Sequence, residues 1–125
     1  MEMADEEKTV QQELRYDMRL RVSRTDHAFG PGVAELMEHI EETGSLSRGC
    51  KCMQMAYSTG RTILKRAEED LGISLVQGNR GGSSGGQTVL TREGKEFLEK
   101  YRSFEKEVRA SASVSFQKWF GREDN

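Results

Sequence analysis

SLSRGCKCMQMAYSTGRTILKRAEEDL, residues 45 to 71, is the stretch on which the fold turns. Ser45 is a helix-capping residue type, because its hydroxyl can accept a backbone N–H of the first turn. Behind it, Leu46, Gly49, Cys50 and Met53 recur at helical spacing. Gln54-Met55-Ala56 interrupts the pattern, which resumes with Gly60, Ile63, Leu64, Ala67 and Leu71. Two short helices so close together predict a helix-turn-helix. Glycine costs a helix roughly 1 kcal/mol against alanine, so Gly49 and Gly60 are expected where these two helices cross closely.

Working outward, Pro31 suits a first helical turn, where its missing N–H has no partner to lose. Val33, Leu36, Met37 and Ile40 then carry a helix to Thr43, and Gly44 stops it. Further upstream, Leu14, Tyr16, Met18, Leu20 and Val22 alternate with Arg15, Asp17, Arg19, Arg21 and Ser23, the period of a half-buried strand. SRTDHAFGPG, residues 23 to 32, reads as a loop. Downstream of Gly72, short strands are predicted over Leu75–Gln77 and Gln87–Leu90, flanking NRGGSSGG. Thr91 then caps a helix running to about Phe120, with Phe97, Leu98, Tyr101, Phe104, Val108, Ala112, Phe116, Trp119 and Phe120 on its stripe. That stripe outruns a small core and predicts a second chain against Tyr101, Phe104, Val108, Phe116 and Trp119.

The expected class is α+β, mainly helical: a winged helix-turn-helix with an N-terminal strand and a long C-terminal dimerisation helix. Residues 1–13 are expected to form an acidic flexible leader and 121–125 a tail. The winged domain occupies 14–120, its dimerisation helix 91–120. A length of 125 residues fits one domain. No apolar run approaches the roughly 18 residues a membrane helix needs, and MEMADEEK is acidic where a secretory signal is basic and then apolar. A cytoplasmic location is expected. The two cysteines, Cys50 and Cys52, stand too close to staple a fold, which agrees with a reducing compartment.

Net charge of −2 alone does not suggest nucleic acid, but the distribution does. From Ser45 to Arg66 the charged residues are Arg48, Lys51, Arg61, Lys65 and Arg66, uninterrupted by any acid. A local basic patch attracts phosphates even on a slightly acidic protein. In a helix-turn-helix the start of the second helix reaches base edges in the major groove. Ser58, Thr59, Arg61 and Thr62 are therefore expected on bases, and Lys65 and Arg66 on phosphates. Ser45, Ser47 and Arg48 would clamp backbone where the preceding helix opens its N–H groups. Arg80, Gly82, Ser83, Ser84 and Gly85 would form a wing tip. Glycines there let exposed N–H groups lie close to phosphate oxygens. A nucleotide-cradling loop is a poorer reading, since no Gly-Lys-Ser/Thr opens a helix after the run.

These segments resemble a known family. FGPGVAELMEHIEETGSLSRGCK, MAYSTGRTILKRAEEDLGISLV and GGSSGGQTVLTREGKEFLEKY are similar to the N-terminal DNA-binding domain of ModE-type molybdate-responsive regulators. The resemblance covers roughly Leu14 to Trp119. It rests most on GPG at 30–32, TGSLS at 43–47, the Tyr57-led helix, and GG-x-x-GG…LT-x-x-G ending at Gly94. It implies a winged helix-turn-helix that dimerises through its first strand and terminal helix and binds operator DNA. Full-length members carry molybdate-binding domains after that helix. None fits before Asn125, so molybdate binding is not expected. Gln54 replaces a common glycine, implying a different turn conformation. Arg61 replaces a frequent tryptophan, so the operator is not transferable.

Other chemistry finds little footing. Cys50, Cys52 and His39 suggest a metal or redox sensor only weakly, because structural zinc takes four ligands. His27 and His39 lack a nucleophile arrangement, so no catalytic residue, cofactor or enzyme is expected. Met18, Met37, Met53 and Met55 read as core fillers. The alternative function, from another class, is a protein-interaction dimer on the same fold that has lost DNA binding; the acidic leader and negative net charge motivate it.

Overall fold

The computed structural model describes residues 14–25, 29–78 and 86–122. The architecture is mainly helical, with one small antiparallel sheet and a long C-terminal helix. Its elements are α1 (Pro31–Thr43), α2 (Leu46–Cys52), α3 (Tyr57–Leu71), β1 (Val76–Gly78), β2 (Thr88–Leu90) and α4 (Arg92–Phe120). The chain divides into two compact units. One is Arg19–Lys106; the other joins Met1–Met18 to Glu107–Asn125.

Within Arg19–Lys106, local chemistry sets the helix ends. Pro31 occupies the first turn of α1, and Gly44 closes it at φ +74°, donating its N–H to Ile40 O at 2.7 Å. Gly72 ends α3 in the same left-handed conformation, which costs glycine no steric penalty. The Ser45 hydroxyl accepts from Arg48 N at 3.0 Å and caps α2. Between α2 and α3 the chain turns through Gln54 at φ +57°. A different turn was expected from glutamine at this position. Gln54 adopts the left-handed backbone that favours glycine, so its side chain raises the cost of the turn.

The core holds Phe29, Leu36, Met37, Ile40 and Leu75 from successive segments, all with no exposed surface. Leu64, Ala67 and Leu71 come from α3, and Leu98 and Tyr101 from α4. Gly60 lets α3 approach α2, since a Cβ there would lie 2.3 Å from Cys50 Sγ. Gly49 works elsewhere than expected. A Cβ on it would meet Ile40 and Leu36 of α1, so it admits α1 and not α3.

β1 and β2 pair antiparallel with Val76 opposite Leu90 and Gly78 opposite Thr88. Side chains anchor this pair at both ends. Glu68 Oε2 on α3 accepts Leu75 N at 2.7 Å and Val76 N at 3.3 Å. Thr88 N donates to Gly44 O, and Thr88 Oγ1 accepts Leu46 N at 3.2 Å. The Thr91 hydroxyl donates to Ser74 O at 2.5 Å and accepts Gly94 N at 2.8 Å, capping α4 as expected. Gly94 is bare because a Cβ would lie 2.2 Å from Leu75 O. Arg102 ties α4 to α1 by a two-pronged contact with Glu38 at 2.7 and 2.8 Å, and also holds Glu105 at 2.7 Å. Those carboxylates, Glu38 first, raise Arg102 further above its ordinary range, and the guanidinium stays charged.

The expected N-terminal strand over Leu14–Val22 needs correction. Among the described residues only Val22 of this segment pairs, in a single bridge to Phe29 with reciprocal bonds of 2.8 and 3.0 Å. A period of two says which face is greasy but supplies no neighbour, and strand residues need a partner ladder. The alternation itself survives: Leu20 and Val22 are half-buried against the core, while Arg19 and Arg21 are exposed. Phe29, assigned to a loop, is instead central, with its ring 4.7 Å from Phe97 and 5.1 Å from Tyr101.

In the other unit, the Tyr16 ring lies 4.8 Å from Phe116, which lies 5.4 Å from Phe120. Val114, Trp119 and Phe120 remain more than half exposed.

Candidate nucleic-acid interface

α3 is amphipathic, and its core side is fixed by Gly60, Leu64, Ala67 and Leu71. The α3 residues proposed for recognition consequently fall on solvent. Ser58, Thr59, Arg61, Thr62, Lys65 and Arg66 are all exposed, as are Ser47 and Arg48 on α2. Ser58, Thr62 and Lys65 stand four and three apart and share one face.

A groove of about 730 Å³ runs beside this face, between α2, α3 and the strand pair. Ser45, Ser47, Tyr57, Arg61, Lys65 and Thr88 line it. The fold thus brings Arg61 and Lys65 together with the α2 serines, residues 14 to 20 positions away in sequence. Arg66 goes elsewhere: it lines a smaller recess with Arg19, Arg21 and the start of α1. Glu68 also borders the groove, and one oxygen of its carboxylate, Oε2, accepts the Leu75 and Val76 amides. Among the described residues no ion pair involves Arg48, Lys51, Arg61, Lys65 or Arg66.

One expectation is narrowed by hydrogen bonding. The start of α2 was to offer open N–H groups, yet Leu46 N donates to Thr88 Oγ1 and Arg48 N to Ser45 Oγ. Ser45 is therefore a cap, and the anion-seeking groups nearby are the Ser47 hydroxyl and the Arg48 guanidinium. Arg80, Gly82, Ser83, Ser84 and Gly85 lie outside the described residues, as does His27.

Tyr57, Gln87 and Thr88 border the groove without having been named as site residues. Tyr57 is 51% exposed at the first position of α3. A large aromatic one residue before Ser58, off the apolar stripe, is the signal that could have identified it. Gln87 and Thr88 carried none, because their place depends on β2 crossing to Gly44.

Of the residues assigned to a dimer face, Phe104 is 48% exposed and Trp119 70%, and Val108 and Phe116 are half-buried. Tyr101 belongs to its own chain's core. It is 2% exposed and donates its hydroxyl to Leu20 O at 3.0 Å.

Cys50 and Cys52 are free thiols, the first buried and the second exposed. Burial pushes the Cys50 thiol above its ordinary value, partly offset by the Gly60 backbone. His39 sits between Glu42 at 3.5 Å and Glu35 at 3.8 Å. Among the described residues no group of three or more His, Cys, Asp or Glu side chains could hold a metal, and no helix is long and apolar enough to cross a membrane. Neither a protein-family model nor a curated protein matches the chain.

Proposed function

We propose that this chain is a DNA-binding transcriptional regulator of the ModE type, acting as a homodimer through a winged helix-turn-helix. The observation that carries this reading is the outward face of α3: Ser58, Thr59, Arg61, Thr62 and Lys65, all exposed, its cations in no ion pair among the described residues, beside a groove also lined by Ser45, Ser47, Tyr57 and Thr88. Such a surface suits a polyanion whose base edges offer acceptors. Arg61 matches guanine O6 and N7, and Ser58 and Thr62 serve either donor or acceptor. Lys65 and Arg48 are point contacts for phosphate. α2 crosses the backbone while α3 enters the major groove. Binding is to double-stranded DNA, in the cytoplasm, without cofactor, metal or catalysis.

The homodimer follows from the exposed aromatic positions of α4, Phe104 and Trp119, which a second copy would cover. Two-fold symmetry then sets half-sites about 34 Å apart, or one turn of duplex. Selection of bound sequences from a random duplex pool tests this directly. Enrichment of a palindrome with that spacing is expected. An unenriched pool, with the dimer intact, would favour a protein-interaction dimer that has lost DNA binding, a reading that the exposed α4 aromatics also support.

A further inference from the structure

A second basic recess lies on the flank of α3 away from the groove. Arg19 and Arg21, from the extended segment before α1, and Arg66 of α3 converge on it, around a space of about 250 Å³. That is several times the roughly 30 Å³ a water molecule occupies in the liquid. The floor is the start of α1, with Gly30, Pro31, Gly32 and Val33, and Ile63 closes one side.

Three arginines border one concavity, and bringing their like charges together there is unfavourable unless an anion intervenes. Among the described residues none of the three is in an ion pair. The helix start beneath them deepens the imbalance. No acidic residue occupies the first turn of α1, and no side chain caps Gly30. Ala34 N is satisfied by Gly30 O, which leaves the Gly32 and Val33 amides without an intrahelical acceptor. The recess is also built to hold its arginine. Gly30 is bare where Arg21 crosses it, and a Cβ there would lie 3.1 Å from Arg21 Cγ and 3.7 Å from Nε.

We infer that this recess is a phosphate-binding site, with Arg19, Arg21 and Arg66 supplying charge-assisted hydrogen bonds and the first turn of α1 a further pair of donors. Arginine's planar fork suits phosphate oxygens better than a lysine would. The phosphate has two sources: inorganic phosphate, or the backbone of a duplex whose major groove α3 enters. Only the second source rests on the DNA-binding reading.

Phosphorus NMR titration of the full chain with inorganic phosphate at low ionic strength reads the first source. Saturation at one site per chain is expected, weakened about tenfold or more in an Arg19→Gln/Arg21→Gln double variant. Gly30→Ala alters no charge but displaces the Arg21 stem, and it too should weaken binding; a general electrostatic effect would leave it unchanged. Fluorescence anisotropy with random duplex reads the second source. The double variant should lower the log–log salt slope by about 0.9 for each phosphate it no longer neutralises. Inorganic phosphate binding with an unaltered DNA slope assigns the site to free phosphate. Phosphate binding by a chain that does not bind duplex would sink the DNA reading and leave the recess standing. No saturable phosphate binding together with an unaltered slope overturns the inference.

Discussion

Gly60 of α3 faces Cys50 of α2 so closely that a methyl group on its α-carbon would lie 2.3 Å from the cysteine sulfur. This contact sets how near α3 can come to α2, and hence how Tyr57, Arg61 and Lys65 meet Ser47 across the groove. Gly60→Ala gains about 1 kcal/mol of helix propensity but overpacks the crossing at a cost of about 1–3 kcal/mol. Net destabilisation is expected in urea unfolding. In a Cys50→Ala background the same substitution should be neutral or stabilising, because the obstructing sulfur is gone. Destabilisation of equal size in both backgrounds would show that the sulfur does not set the crossing.

The thiols should separate kinetically and by pH. Cys52 is exposed and should react with an aromatic disulfide reagent at the rate of a free thiol, whereas buried Cys50 should react only as the fold opens. Burial raises the folded-state value of Cys50 above its ordinary 9.0. The unfolded chain therefore releases this proton first. Cys50 contributes stability that is fully present below pH 9.0 and is lost as pH rises through the folded value. Unfolding midpoints of the wild type should fall above that pH, and those of Cys50→Ala should fall less.

Oligomeric state should respond to Phe104 and Trp119, not to Tyr101. Phe104→Glu or Trp119→Glu places a charge on an exposed apolar position and should halve the mass seen in sedimentation. Tyr101→Phe removes the bond to Leu20 O and should cost about 1 kcal/mol of stability, leaving the mass unchanged. A persistent dimer in both charged variants would place the interface elsewhere.

The helices were legible because their punctuation is local. Pro31, Gly44, Ser45, Gly72 and Thr91 each act within one turn of their own position, and the apolar spacing between them points to one face. Features that depend on distant partners were not legible. Phe29 stands among Ser, Thr, Asp and Gly, residue types that mark loops, yet Phe97 and Tyr101 receive it from α4. Leu14 to Val22 alternates as a strand does, but alternation cannot say whether a neighbouring ladder exists. On the candidate site, helical spacing alone put Ser58, Thr62 and Lys65 on one face. The parting of Lys65 and Arg66 into separate concavities needed the positions of β2 and of Arg19 and Arg21.

Fluorescence anisotropy of a labelled random duplex, titrated with wild type and with Lys65→Ala at two salt concentrations, tests the central claim most directly. Lys65 is exposed and in no ion pair among the described residues, so its removal should leave the fold intact. Wild-type affinity should fall with salt at a log–log slope of about −0.9 for each phosphate neutralised, and the variant's slope should be shallower by close to one such phosphate. Salt-independent association, or no association with duplex by a folded dimer, would contradict DNA binding by α3.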